Sequence, residues 1–149
     1  MLWKTHLAIG IFFMFIFLPV ISQDVMFSVS LIVASLLPDI ASPSAFFGKG
    51  KDSVSSQAVS KNRGVLHSFT LAFLATVVIS LFFPTMALGF FLGYSVHLFS
   101  DSFTTRGIQP FWPLKGKNSW KLRTGGYTET SIFIGFLIGD LLLLLVTIL

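Results

Sequence analysis

The chain holds three histidines (His6, His67 and His97), six acids and no cysteine. Any metal site must therefore use imidazole and carboxylate donors. Thiol nucleophiles, Cys-ligated zinc and disulfide frameworks are excluded. His97 and Asp101 form His-x-x-x-Asp, and on a helix such residues share a face. An imidazole nitrogen and a carboxylate oxygen so placed can chelate one divalent ion such as Zn²⁺. Taken alone, the pair reads more simply as a helix-end His hydrogen-bonded to Asp. Asp39, after Pro38, reads either as a ligand or as a helix-terminal Asp making local turn bonds. Arg63 precedes His67 by four residues. It could face the same cavity and steady an anionic substrate group, or it could snorkel and set topology. Glu129 reads as a general base, a further ligand or an N-terminal cap.

The composition shows which elements must carry these residues. Of 149 residues, 54% are hydrophobic and only 11% charged. Mean hydropathy is +0.85. A soluble domain carries about 25% charge, so this is a membrane chain of one domain, residues 1–149. Five apolar stretches approach the roughly 20 residues of a spanning helix. They run from about Leu2 to Ser22, Val25 to Ile40, Val65 to Phe83, Thr85 to Phe103 and Thr130 to Leu149. The second is short and serine-bearing, consistent with tilt or partial insertion. The expected fold is an all-α polytopic membrane bundle of four or five spans. Met1 to Ser22 also has the outline of a signal peptide, whose removal would discard His6. The polytopic remainder makes such a leader unnecessary.

All ten Lys and Arg fall at the N-terminus or in the long loops 42–64 and 104–129, and the short turns carry none. The positive-inside rule places those segments in the cytoplasm. A basic balance in so apolar a chain reports topology, and no direct nucleic-acid contact is expected. On this topology, His6, Asp39, His67, His97, Asp101 and Glu129 come from five helices yet share one membrane level. The histidines were not used to set the topology, so their coincidence is independent. Boundary and intramembrane ionisable groups are costly and usually functional, so the convergence points to a metal site. Asp140 lies deeper, three turns beyond Glu129 on the same face, and needs a proton or a partner there. Gly10, one turn after His6, reads as a close-packing residue. The loop around Phe111, Trp112 and Pro113 has the aromatic and basic character of a segment at anionic headgroups.

Several motifs occur in order: Thr5-His6-Leu7-Ala8-Ile9-Gly10, Leu37-Pro38-Asp39-Ile40, Arg63-Gly64-Val65-Leu66-His67-Ser68 and Gly93-Tyr94-Ser95-Val96-His97 through Asp101. Thr104, Gly107 and Trp112-Pro113 follow. Over essentially the whole chain this resembles an inner-membrane-associated family regarded as metal-dependent hydrolases, formerly a domain of unknown function. One bacterial member is linked to LexA. The resemblance implies metal residues at His6, Asp39, His67, His97 and Asp101. Their order is also similar to that of zinc-dependent phospholipase C and P1-type nucleases, which implies phosphoester cleavage. Three positions depart from the family pattern: Asn62 stands where it often has His, Leu66 where it often has Thr, and Ala41 where it often has a second Asp.

The resulting expectation is a metal-dependent hydrolase in the cell membrane, with its site at the cytoplasmic boundary. Asp39, His67, His97 and Asp101 hold a first ion, zinc or alternatively manganese. His6 and a shared carboxylate hold a second. Glu129 acts as base or ligand, and Arg63 steadies substrate charge. Membrane lipids are the expected partners, and a lipid or other phosphoester the substrate. The alternative is a non-catalytic membrane protein with a structural or transport metal site. A third reading is a membrane anchor for a DNA-linked regulator.

Overall fold

The computed structural model describes residues 1–21, 25–41 and 64–149. Among these residues it is all-helical, with five helices longer than two turns: α1 (Trp3–Phe17), α2 (Val25–Ile40), α3 (Phe69–Ser80), α4 (Pro84–Ser102) and α5 (Tyr127–Ile148). Among the described residues only α5 is long and apolar enough to cross a membrane by length and composition. Its outward residues, including Leu137, Leu141 and Leu145, are exposed. Glu129 and Asp140 are its two buried residues, so the expected shared inward face is present.

Helix boundaries follow local chemistry. Pro84 opens α4, where its missing N–H costs nothing. Ser68 caps α3 by accepting from the Leu71 N–H at 3.3 Å. That cap shortens the third stretch. The sequence predicts a helix from Val65, but α3 begins at Phe69, and His67 lies in the turn after a short helical segment at 64–66.

The helices alternate in direction, as their contacts show. Phe17 meets Phe27 at one end of α1 and α2, and His6 meets Asp39 at the other. The two helices are therefore antiparallel. α2 and α4 are parallel and lie very close. A Cβ on Gly89 would sit 2.4 Å from the Phe27 carbonyl oxygen, and one on Gly93 2.1 Å from that of Leu31. Only glycine permits this approach. α1 and α5 are also parallel, with Thr5 beside Glu129 and Phe12 against Phe136. The starts of α1, α3 and α5 and the ends of α2 and α4 thus gather at one end of the bundle. A small core of Ala34, Ala72, Tyr94, Leu98 and Ile108 lies there.

The segment 103–126 folds over this end without a regular strand. Isolated bridges join Thr104 to Leu122 and Ile108 to Asn118. Gly107 takes a φ of +64° beside the Asn118 carbonyl, a turn that disfavours any side chain. The Phe69 N–H donates to the Pro110 carbonyl at 2.8 Å, fixing the segment to the start of α3. Phe111, Trp112, Leu114 and Trp120 remain exposed on it.

Candidate metal centre

The site is built by the seam that joins α2 to α4. Gly89, Gly93, His97 and Asp101 recur every fourth residue along one face of α4. Phe27, Leu31, Ser35 and Asp39 recur likewise on α2. Ser35 and His97 are 62 positions apart, and the two glycine contacts keep that same register. The close approach set by the glycines therefore carries Asp39 to Asp101 at the helix ends. Gly10 does the same for α1, since a Cβ there would meet Ser35 Oγ at 2.7 Å. The packing role expected for Gly10 is the one it has.

Ligand atoms of Asp39, His67, His97 and Asp101 all lie within 4.8 Å of one another. His67 Nε2 is 3.7 Å from Asp39 Oδ1 and 3.5 Å from Asp101 Oδ2. His97 Nε2 is 3.9 Å from each of those oxygens and 3.5 Å from His67 Nε2. Around a tetrahedral ion with bonds of about 2.0–2.1 Å, neighbouring ligand atoms stand roughly 3.3–3.4 Å apart. The five distances that involve a histidine, 3.5–3.9 Å, are thus a few tenths of an ångström wider than that arrangement. His6 occupies the opposite side of the same carboxylates. Its Nε2 is 3.3 Å from Asp101 Oδ1 and 3.8 Å from Asp39 Oδ2. Its ring stacks on His97 with centroids 4.0 Å apart. The Met1 amino group also donates to Asp101 Oδ1.

The donor set fits a metal for two reasons. The first is tautomeric. His97 Nδ1 lies 2.8 Å from the Ser35 carbonyl, which can only accept. Nδ1 therefore carries the proton, and the bare Nε2 lone pair faces the cluster. Pro38 has no N–H to give the Ala34 carbonyl, next to Ser35 in α2. The second is satisfaction. Nδ1 of His6 and Nδ1 of His67 are buried without a hydrogen-bond partner among the described residues, and His6 Nε2 faces the two carboxylates alone. Such groups are costly in protein interiors and mark sites that ions or water complete. The imidazoles and Asp101 are almost fully buried, whereas the Asp39 side chain is 29% exposed. Asp39 is thus the most exposed of the donors.

The other candidate residues fall differently. Arg63 lies outside the described residues, as do Asn62 and most of the first long loop. Glu129 is 1% exposed and stands outside the four-residue donor group. Its Oε1 accepts from the Leu2 N–H at 2.5 Å and from Thr5 Oγ1 at 3.1 Å, and its Oε2 from the Gly125 N–H at 2.6 Å. This carboxylate clamps the start of α1 to the start of α5. It thereby holds His6, four residues after Leu2, in place. Sequence reasoning missed that clamp and the Ser35 carbonyl, because backbone donors and acceptors leave no trace in residue type. Asp140 is buried, with Oδ1 unpartnered among the described residues.

No curated protein sequence and no solved structure matches the chain. A family model does, across residues 1–148. With an apolar spanning helix and a buried Asp/His/His/Asp group already in view, that match gives the class: the chain belongs to the YdjM inner membrane protein family.

Proposed function

We propose that this membrane protein is a metal-dependent hydrolase acting on a phosphoester at the cytoplasmic face. The observation that carries the reading is the convergence of five buried or half-buried donors at one end of the bundle, with the His97 Nε2 lone pair turned toward the carboxylates. His67, His97, Asp39 Oδ1 and Asp101 Oδ2 would hold one divalent ion. His6, Asp39 Oδ2 and Asp101 Oδ1 would contribute to a second, so both carboxylates are shared. Zinc suits this nitrogen and oxygen set, with manganese as the alternative. When bound, the metal supplies charge stabilisation at a phosphoryl oxygen and activates water. The chain's own part is orientation: the Ser35 carbonyl fixes the His97 ring, and the Glu129 clamp fixes α1. A general-base role for Glu129 would require it to release one of its present donors. The similarity to zinc-dependent phospholipase C and P1-type nucleases noted in the sequence supports phosphoester chemistry.

The proposed topology has four or five spans, with the N-terminus and the long loops cytoplasmic. The basic residues of 104–129 lie at the same end as the metal centre, which supports it. α1 to α3 are only 15, 16 and 12 residues long. At about 1.5 Å per residue they need flanking apolar residues or a locally thinned bilayer to cross.

Elemental analysis of detergent-purified protein tests the reading, together with hydrolysis of phosphoester substrates. The wild type is expected to hold one to two equivalents of zinc or manganese. His97→Ala/Asp101→Ala should hold none, and His6→Ala should lose only the second equivalent. Gel filtration confirms that each variant is folded. A wild type that binds no metal even when supplied with it sinks the proposal. The non-catalytic alternative draws on the occupied oxygens of Glu129. It predicts that His97→Ala unfolds the protein, instead of leaving a folded, inactive one.

A further inference from the structure

A cavity of about 900 Å³ lies beside the metal centre, between α4 and α5 and floored by α1. Its walls include Ile9, Phe13, Val96, Phe99, Ile132 and Phe136. Its volume is at the upper end of the 300–1,000 Å³ range of small-molecule sites. Three features show what fits it. It follows α5, the helix suited to cross the membrane, from Thr128 down to Phe136, so its apolar length lies along the acyl region. Its other end is charged: Lys121 lines it, on a segment that also carries Lys115, Lys117 and Arg123. Finally, it adjoins the metal centre, because Met1 and Ser100 line it while the Met1 amino group contacts Asp101.

We infer that this cavity holds the apolar chain of a phosphate-bearing lipid, with the headgroup at Lys121 beside the metal centre. Apolar walls select the chain, since a soluble phosphoester gains nothing from them. The cation at the mouth selects an anionic headgroup over a zwitterionic one. Ser95, whose buried Oγ has no partner among the described residues, adds one polar atom on the α4 wall. The inference deepens the hydrolase reading by giving its substrate class, and it rests on that reading for the chemistry.

Trp120 lines the cavity and serves as its reporter. Trp3→Phe and Trp112→Phe leave it as the single tryptophan. The full chain is placed in phosphatidylcholine vesicles containing a minor fraction of phosphatidate brominated on its acyl chains. Chelator is present so that no turnover occurs. Brominated phosphatidate is expected to quench Trp120 more strongly than brominated phosphatidylcholine at the same fraction. Lys121→Gln should weaken the apparent phosphatidate affinity about fivefold. Ile132→Phe and Val96→Phe, which narrow the cavity from opposite walls, should each reduce quenching by both lipids. Soluble glycerol phosphate should not displace the lipid. Equal quenching by the two lipids, unchanged by the narrowing variants, would mean bulk lipid merely bathes the surface and overturns the inference. Displacement by glycerol phosphate would overturn it too, by showing a headgroup site without a chain site. The assay contains no metal, so its failure is separate from a failure to find bound metal.

Discussion

Each aspartate of the centre turns its two oxygens toward different histidines. Asp101 gives Oδ2 to His67 and His97 and Oδ1 to His6, and Asp39 divides the same way. Much of this was legible in the sequence, because residue type and membrane level sufficed to group the donors. The division between the two sides was legible only in part. It depends on side-chain orientation, which periodicity does not fix at a helix end. Glu129 shows the limit most clearly. Its type and position allow a base, a ligand or a cap, and three donors decide for a clamp. Glu129→Gln keeps one carbonyl acceptor and loses the charge-assisted bonds. It is expected to lower stability by roughly 1–3 kcal/mol while retaining the metal of the His67 and His97 side. Thermal unfolding followed beside elemental analysis checks this. Loss of all metal without loss of stability would instead make Glu129 a ligand.

At the scale of the helices, the seam between α2 and α4 governs the site. Its glycines were not singled out by sequence, because glycine is common in membrane helices and its partner helix is not written beside it. The two halves of the seam become recognisable only when laid against each other. Gly93→Val places a side chain against the Leu31 backbone, which has no rotamer by which to yield. Overpacking of this kind costs typically 1–3 kcal/mol. Here it should also part Asp39 from His97, so metal content is expected to fall together with stability. Gly116→Val, where a Cβ meets nothing within 4 Å, is the matched control and should change neither. The start of α3 teaches a related lesson. A continuous apolar run hid the Ser68 cap, and the cap places His67 in a turn where it can meet helices α2 and α4.

For the molecule as a whole, composition alone established a helical membrane chain, and the family match agrees with it. The number of crossings was less legible, since several helices are shorter than the apolar stretches that contain them. Orientation can be read by labelling, because the chain has no native cysteine to interfere. Leu81→Cys, exposed at the end of α3, is expected to react with an impermeant maleimide on intact cells. Lys117→Cys, exposed on the basic segment, should react only after lysis. The reverse pattern would put the metal centre on the outer face.

The constant 62-residue register between α2 and α4 makes helix length a measuring device. One residue added to α2 between Leu31 and Asp39 would turn the carboxylate about 100° away and lift it about 1.5 Å. The glycine contacts below would remain as they are. Almost any apolar residue could then drift along the outer faces of these helices without disturbing the centre, whereas a single insertion or deletion inside the seam would dismantle it. In this protein the spacing along the seam, more than the identity of the outer apolar residues, sets the centre.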